Sequence, residues 1–501
     1  MLDLTFPLTI HHANRCLRAA LIALLCACAF SVAIAAPPVQ LSGAMVSGGD
    51  VGLIAINSTS TRVVFIADRE TDATNELYSA PIGGGAVTKL SGTMVAGGDV
   101  TVFKISPNGQ WVAFVADRVI DNKVELWLAP IDGSAAPASL SGTLGASVIA
   151  DFQWAPNSGR VVFVVDGTTP GLFEMYSIGT SIGSTVVPLS GTLVPGGDVL
   201  IGFKISADSA RVVFRADKDI NDVFELYSAP IATANATTKL SGTLVSGGDV
   251  ESGFQISPDS TRVVFRADKD DVVDIYSAPI ATANATTKLS GILVPGGGVL
   301  SSFQISPDST RLVFGAYKDS AGAAELYSAP IATADATTKL SGTLVAGGDV
   351  GIGIQISADS ARVVFYADKD SDTVYELYSA PIATANAATK ISGEMVTGGI
   401  VLTGFQISPD STRVVFRADK DTDGVIELYS VGTGGGGAML DIDGDGVVLP
   451  TTDLLMLMRW QLGIRGAALF GGITFSGAAT RTSVAAIEDH LRRLAEAGLA
   501  W

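Results

Sequence analysis

Short apolar runs separated by turn residues recur along most of the chain. One unit contains the runs Phe254-Gln-Ile256, Arg262-Val-Val-Phe265, Ile275-Tyr-Ser277 and Thr287-Lys-Leu289. Val, Ile, Phe and Tyr bounded by Pro, Asp, Ser and Gly are typical of strands joined by tight turns. No helical periodicity of useful length occurs between residues 40 and 430. The pattern therefore predicts four β-strands in each unit.

The same unit recurs eight times, at intervals of 49 to 51 residues. Each copy begins with Leu-Ser-Gly or Ile-Ser-Gly, at Leu41, Leu90, Leu140, Leu189, Leu240, Leu289, Leu340 and Ile391. Four strands in each of eight units predict an all-β fold, an eight-bladed β-propeller of four-stranded blades, over residues 36–431. The last unit has no fourth strand of its own, whereas residues 39–42 precede the first unit. We therefore expect residues 39–42 to complete the last blade and close the ring.

The repeat resembles a known family. The unit Ile-Ser-Pro-Asp-Ser-x-Arg-Val-Val-Phe-x-Ala-Asp-x-Asp, followed by Glu-Leu-Tyr, is similar to the TolB-type propeller repeat over about residues 40–431. The third unit departs most, because it has Trp154-Ala-Pro-Asn157 and lacks the Gly-Gly-Asp loop. Members of the family serve as scaffolds, partner-binding modules and enzyme appendages, so the resemblance implies interaction more than chemistry.

The N-terminal residues 1–35 have the layout of a secretory signal peptide. Arg15 and Arg18 precede an apolar run that ends in the small-residue pattern Ala33-Ile34-Ala35. We expect its removal and export of the mature chain to the periplasm or the exterior, with no transmembrane segment left. A retained membrane anchor is the alternative, although the run is short for a span. All three cysteines lie in this segment, and lipidation of Cys28 stays open.

The charge balance narrows the range of partners. The chain carries 32 Lys and Arg against 50 Asp and Glu, with a net charge of -18. Nucleic-acid phosphates need a basic face, so nucleic acid is not an expected partner. The expected partner is an extracytoplasmic protein or a polysaccharide.

Aspartates recur in two loops that antiparallel connectivity places on one face of the propeller. These are Asp50, Asp99, Asp198, Asp249 and Asp349 between units, and Asp68, Asp117, Asp166, Asp217, Asp268, Asp368 and Asp419 after the second strand. They could attract cations or cationic partners. They could instead cap turns and keep the protein soluble, which is the interpretation we favour.

One of these loops has the spacing of a metal site. Asp419, Asp421 and Asp423 stand at alternate positions before a glycine, and Glu427 follows. Such spacing can surround a hard cation with oxygen ligands, and it resembles the hairpin calcium loops of integrin-type propellers. The simpler alternative is a solvated hairpin without metal.

The pattern changes after the last unit. The glycine-rich residues 432–438 are interpreted as a flexible linker. Residues 439–501 are interpreted as a small α-helical module, in which an acidic loop runs into an apolar helix. A second helix is expected over residues 483–497.

The acidic loop of this module has EF-hand spacing. Asp441, Asp443 and Asp445 take alternate positions before a glycine, Val447 offers its backbone carbonyl, and Asp453 is the last carboxylate. The loop and its helix resemble the dockerin calcium repeat, which implies calcium as cofactor and a cohesin-type partner. Dockerins usually have two calcium loops, whereas this sequence has no second acidic loop. The alternatives are an acidic turn without metal, and Asp453 acting as a helix cap with weak calcium affinity.

No catalytic residues are expected. The stretch Gly179-Thr-Ser181-Ile-Gly183 fits G-x-S-x-G, but a nucleophile elbow needs a strand-to-helix turn and a histidine base. Residues 36–431 contain neither His nor Cys. We therefore expect a non-catalytic binding or scaffolding module. The competing hypothesis is a carbohydrate-active enzyme that degrades polysaccharides with carboxylate pairs of the propeller.

Overall fold

The computed structural model describes residues 37–144, 148–166, 171–181, 184–434, 442–443, 449, 451–475, 479 and 481–496. In these residues, eight antiparallel sheets follow one another along the chain, and two α-helices lie near the C-terminus. The fold is mostly β, with the sheets arranged as the blades of an eight-bladed β-propeller. The fold class predicted from the repeats is confirmed.

Each sheet is a meander of strands that are neighbours in sequence. The first strands are β1 Val51–Ile56, β5 Val100–Ile105, β9 Val148–Trp154, β13 Lys204–Ile205, β17 Gln255–Ile256, β21 Val299–Ile305, β25 Val350–Ile356 and β29 Gln406–Ile407. The second strands are β2 Arg62–Ala67, β6 Trp111–Ala116, β10 Arg160–Asp166, β14 Arg211–Ala216, β18 Arg262–Asp268, β22 Arg311–Ala316, β26 Arg362–Ala367 and β30 Arg413–Ala418. The third strands are β3 Glu76–Pro81, β7 Glu125–Pro130, β11 Phe173–Gly179, β15 Glu225–Pro230, β19 Val273–Pro279, β23 Glu325–Pro330, β27 Glu376–Pro381 and β31 Glu427–Gly432. The fourth strands are β4 Thr88–Lys89, β8 Ala138–Ser139, β12 Val187–Pro188, β16 Thr238–Lys239, β20 Thr287–Lys288, β24 Thr338–Lys339 and β28 Thr389–Lys390.

The second strand of an internal blade is buried on both faces. In β14, Val212 and Phe214 face the preceding sheet, while Val213 faces the following one, and all three are fully buried. This explains why the strand reads as a continuous apolar run rather than as an alternating one. The ring of Phe214 stacks on Tyr227 of β15 at 5.9 Å, and this pair recurs in every sheet except the second, where Trp127 replaces the tyrosine.

Seven hydrophobic clusters lie between successive sheets. At the junction of the fourth and fifth sheets, Leu226 and Leu240 pack against Phe254 of the next sheet. The hydroxyl of Ser228 also donates a hydrogen bond to the carbonyl of Ile280 at 2.5 Å. Burial of large apolar side chains at each junction is therefore the main force that holds neighbouring blades together.

The closing strand differs from the expectation. The eighth sheet has three strands, and residues 39–42 form no strand in the structure. Leu41 packs on the first sheet beside Val63 and Phe65, and the guanidinium of Arg69 donates to the carbonyl of Ser42 at 2.8 Å. The segment thus makes contacts like those of Leu90 and Ser91 with the second sheet, where the guanidinium of Arg118 donates to the carbonyl of Ser91 at 2.6 Å. Its pairing with a preceding blade is not formed.

The C-terminal module has its own small core. Helix α1 spans Asp453–Gln461 and helix α2 spans Val484–Glu496, close to the second helix predicted over residues 483–497. The core contains Ile442, Met456, Leu469, Ile487 and Leu491, all fully buried. Neither helix among the described residues has the length and apolar character needed to cross a bilayer.

Candidate functional site

The repeated aspartates hold the loops of one face in place. In the fourth sheet, one carboxylate oxygen of Asp217 accepts a hydrogen bond from the amide of Asp198 at 2.5 Å, and the other accepts from the amide of Asp222 at 3.0 Å. Asp198 in turn accepts from the amide of Phe173 at 2.7 Å. Two carboxylates therefore tie the hairpin, the loop between blades and the preceding blade into one unit.

This arrangement recurs in other blades. Carboxylates with the same pair of amide donors are Asp68 with Asp50 and Ala73, Asp117 with Asp99 and Asn122, Asp368 with Asp349 and Thr373, and Asp419 with Ile400 and Gly424. The hydrogen bond from Asp50 holds the pKa of Asp68 below its ordinary value. These aspartates accept backbone hydrogen bonds that order turns, as the favoured interpretation of the sequence has it.

The carboxylates of the hairpin proposed as a second calcium loop contact other groups of the protein. Asp419 accepts from the amides of Ile400 and Gly424, and the first of these bonds lowers its pKa. The hydroxyl of Tyr429 donates to Glu427 at 2.8 Å and also lies 3.2 Å from Asp421. The carboxylate of Asp423 lies against the backbone of Gly398. Hydrogen bonds within the hairpin account for its conformation, and the described residues include no cluster of three or more His, Cys, Asp or Glu side chains placed to hold a metal ion.

The acidic loop of the tail is only partly described. Asp441, Asp445 and Val447 lie outside the described residues, whereas Asp443 and Asp453 lie inside them and are fully buried. The structure therefore places two of the five predicted ligands. The sequence prediction for the other three stays a prediction.

Asp453 organises this loop from the start of helix α1. One of its carboxylate oxygens accepts from the amides of Ile442 and Asp443, at 2.6 and 3.2 Å. The other accepts from the amide of Leu449 and the hydroxyl of Thr452, both at 2.9 Å. Four hydrogen bonds occupy the carboxylate, and all four donors lie before the helix, so Asp453 joins the described parts of the loop. No amide of the described first helical turn donates to it, so this is not the helix-capping role of the alternative interpretation.

The predicted ligand set consists of carboxylates and one backbone carbonyl, which are the oxygen ligands that calcium prefers. Of this set, Asp443 and Asp453 lie among the described residues, and both are buried. Hydrogen bonds already occupy both carboxylate oxygens of Asp453.

The G-x-S-x-G stretch does not occupy an elbow. It begins at the end of strand β11 and leads to strand β12, and the residues between them that the structure describes contain no helix. The carbonyl of Ser181 accepts a hydrogen bond from the amide of Ser184 at 3.1 Å, as in a tight turn. A strand-to-strand turn lacks the helix that a nucleophile elbow requires.

Two arginines in neighbouring blades are candidate binding residues that the sequence analysis missed. Arg215 and Arg266 occupy the same position in β14 and β18, directly after the Arg-Val-Val-Phe run. Both are partly buried, and neither Nε atom has a hydrogen-bond acceptor among the described residues. Burial lowers the pKa of both guanidinium groups, and the charge of Glu251 opposes this effect at each. Arg215 also lies over the ring of Phe224, 5.6 Å from its centre.

A signal for this site is present in the sequence. Most blades have an apolar residue or glycine after the Arg-Val-Val-Phe run, whereas the fourth, fifth and eighth have arginine. Whether such an arginine is buried depends on the neighbouring sheet, because the equivalent Arg417 in the last sheet is exposed. Arg215 and Arg266 are therefore partly buried because each lies in an internal blade.

Comparison with known proteins adds little. No protein-family model and no curated protein matches the chain. The similar solved structures include a chain from a structural and mechanistic study of two prolyl endopeptidases, on inter-domain dynamics in catalysis and specificity. The sequences are 14% identical, the TM-score is 0.34, and the match covers 75% of this chain and 55% of that one. The chain thus spans little more than half of that protein, and a similarity of this size assigns it no activity.

Proposed function

We propose that this protein is an exported, non-catalytic β-propeller that binds an extracytoplasmic protein or polysaccharide, with a calcium-binding, dockerin-like tail. The observation that carries the proposal is the pair Arg215 and Arg266. The Nε atoms of both arginines are buried and out of a partner's reach, but each residue is partly exposed, so its outer N–H groups can donate to a partner that docks there. The planar fork of arginine matches carboxylate and sulfate oxygens, so the partner carries anionic groups.

The repeated carboxylates support binding over catalysis. A glycosidase needs a general acid whose pKa is raised, so that it carries a proton near neutral pH. Asp68 and Asp419 show the opposite shift, because backbone amides hold their pKa below the ordinary value. Such groups are suited to fix loops rather than to deliver protons.

A glycan array tests the binding proposal with the mature chain, residues 36–501. We expect binding to oligosaccharides that carry uronic acid or sulfate groups, and weaker binding to neutral ones. Arg215→Gln with Arg266→Gln should lower this affinity by about tenfold or more, since a hydrogen bond to a charged group contributes about 1.5–3 kcal/mol. Arg417→Gln, at the same repeat position but exposed, is the matched control.

Two results would count against this function. Equal loss of affinity in the Arg417 control would show that the net charge, not the buried pair, determines binding. Release of reducing ends from a bound polysaccharide would favour the competing hypothesis of a carbohydrate-active enzyme.

Calcium is the proposed cofactor of the tail. Asp441, Asp443, Asp445 and the carbonyl of Val447 would hold it, and Asp453 would fix the loop around it. The ion supplies charge that offsets the repulsion between neighbouring carboxylates and so orders the loop. An ordered loop next to helix α1 would then present a surface to a cohesin-type partner.

Calorimetric titration of the mature chain with calcium tests this assignment. Asp441→Asn with Asp445→Asn should abolish the binding heat, and Asp421→Asn with Asp423→Asn is the matched control in the propeller hairpin. Loss of heat in the control alone would move the site to the hairpin. Absence of heat in the unaltered chain at millimolar calcium would refute both calcium sites.

A further inference from the structure

The first sheet exposes the face on which a preceding sheet would pack. Ile54 and Ile56 of β1 are 68% and 56% exposed. The residues that take the same register in the sixth sheet, Phe303 and Ile305 of β21, are each 6% exposed. The difference arises because an internal first strand is covered by the blade before it.

The eighth sheet exposes the opposite face. Leu428 of β31 is 72% exposed and Val415 of β30 is 38% exposed. Their equivalents in the seventh sheet, Leu377 and Val364, are fully buried against the eighth sheet. The two ends of the array therefore carry the two halves of one interface, and these halves do not cover each other in the structure.

The polar groups of this interface are also present at the ends. At the junction of the sixth and seventh sheets, Ser328 donates to the carbonyl of Ile382 at 2.5 Å. The groups in the same places at the two ends are the hydroxyl of Ser430 and the carbonyl of Ile82. Ser430 accepts a hydrogen bond from Arg413 of its own sheet at 2.8 Å, and Ile82 is 39% exposed.

We propose that these ends join between molecules, so that the eighth sheet of one copy packs on the first sheet of a second copy. At each of the seven internal junctions, the face that the eighth sheet exposes packs on the face that the first sheet exposes. A second copy of the chain is therefore a suitable partner for each end. Both end faces are exposed while all seven junctions are packed. Packing the first and eighth sheets of one chain together would therefore require shifts at junctions that are already packed. A second copy docks without such shifts. This inference does not depend on the proposed binding function.

Residues 39–42 supply the strand part of the contact. Leu41 packs on the first sheet. In the repeat alignment, Val39 and Gln40 correspond to Thr88 and Lys89, which form the fourth strand of the first sheet. In that sheet Lys89 pairs with Tyr78. The same register would add residues 39–40 to β31 of the other copy as its fourth strand, and would cover an open sheet edge. The contact is head-to-tail, so it generates chains of molecules rather than a closed dimer.

Sedimentation of the mature chain over a wide range of concentration tests this proposal. We expect the average mass to rise with concentration. It should rise further with added salt, because screening weakens repulsion between mature chains, which carry 30 Lys and Arg against 49 Asp and Glu and so a net charge of -19. Leu428→Glu blocks one end and Ile54→Glu blocks the other, so each variant alone should be monomeric. Mixing the two leaves one free face on each and should give a one-to-one dimer and nothing larger.

Two controls accompany this test. Ile292→Glu, an 87% exposed site away from both ends, should associate like the unaltered chain. Circular dichroism should show that the charged variants stay folded. A chain that is monomeric at every concentration, or a mixture that does not dimerise, would overturn the proposal.

Cysteine trapping distinguishes a second copy from closure of one ring. Residues 36–501 contain no cysteine, so Val39→Cys with Ser430→Cys adds one pair across the proposed junction. Oxidation should give a ladder of covalent multimers on a denaturing gel. A monomer with an internal disulfide would show instead that the two ends of one chain meet, and would contradict association between copies.

Discussion

Two strands with almost the same sequence lie in different environments. Strands β27 and β31 both begin with Glu-Leu-Tyr-Ser and pair with their second strands in the same register. Leu377 of β27 is fully buried, while Leu428 of β31 is among the most exposed apolar side chains described. The comparison teaches that burial in this array is set by the next blade and not by the strand itself.

The electrostatic surroundings of the two strands differ as well. The ammonium of Lys390, in the fourth strand β28, lies 2.9 Å from the carboxylate of Glu376. The equivalent Glu427 is exposed and shares the hydroxyl of Tyr429 with Asp421. A fourth strand thus supplies a counter-charge as well as hydrogen bonds, and the last blade lacks both in the structure.

The largest expected effect is the loss of a buried leucine. Leu377→Ala should lower the free energy of unfolding by about 3–5 kcal/mol, because it leaves a cavity between the seventh and eighth sheets. Leu428→Ala should change it by less than about 0.5 kcal/mol in dilute protein, since that side chain faces solvent. Urea denaturation of both variants measures this, and equal effects would mean that the eighth sheet is covered in solution.

The next largest effect is the loss of a loop aspartate from an internal blade, compared with the loss of one from the last blade. Asp217→Ala removes the acceptor of two backbone amides and should cost about 2–4 kcal/mol. Asp421→Ala alters an exposed carboxylate and should cost less than about 0.5 kcal/mol. Thermal unfolding followed by circular dichroism compares them. A small effect at Asp217 would contradict the role given to the repeated aspartates.

The repeats made most of the fold predictable. A period of about 50 residues with four apolar runs is a local property, so the strands could be placed from the sequence. The second tail helix could also be placed, from its own residues. The pairing of residues 39–42 could not be predicted. It depends on where the eighth sheet lies relative to the first, and this follows from the packing angles at seven junctions. The pair Arg215 and Arg266 was missed for a related reason, since partial burial of a guanidinium follows from the neighbouring sheet.

In the tail, the spacing of acidic residues predicted the loop but not the role of each carboxylate. Asp441, Asp443 and Asp445 are equivalent in a one-dimensional pattern, and Asp453 differs from them only by its place at the helix start. The structure shows that this place gives Asp453 four hydrogen-bond donors. The role of Asp453 in joining the loop was therefore distinguishable from metal binding only through contacts.

A smaller effect is expected from Lys390, the fourth-strand lysine of the seventh blade, which has no equivalent in the last blade. Burial disfavours the charged form of Lys390, but the hydrogen bond with Glu376 prevails and raises the pKa of the lysine. Lys390→Met should cost about 1–2 kcal/mol at neutral pH, less than a fully buried pair, because Lys390 is partly exposed. Glu427→Gln at the equivalent end position should have no measurable effect.

The pH dependence of this pair follows from the sign of the shift. Since the folded pKa of Lys390 is raised, its contribution is fully present below the unfolded value of about 10.4 and is lost as the pH rises through the folded value. The melting-temperature difference between the unaltered chain and Lys390→Met should therefore narrow in strong alkali. A constant difference would mean that the methionine acts through packing alone.

The smallest effect concerns the turn aspartate Asp410 of the last blade. The hydroxyl of Ser408 and then the amide and hydroxyl of Thr412 donate to its carboxylate, and they lower its pKa. A depressed pKa stabilises the fold above the unfolded value of about 3.9, and this contribution is lost as the pH falls through the folded value. In the third sheet, Asn157 takes the same place and accepts from the amide of Gly159 at 2.8 Å, so a neutral amide can form this turn. Asp410→Asn should therefore lower the melting temperature slightly at neutral pH and leave it unchanged in strong acid. A difference that persists below the folded pKa would assign the effect to turn geometry rather than to charge.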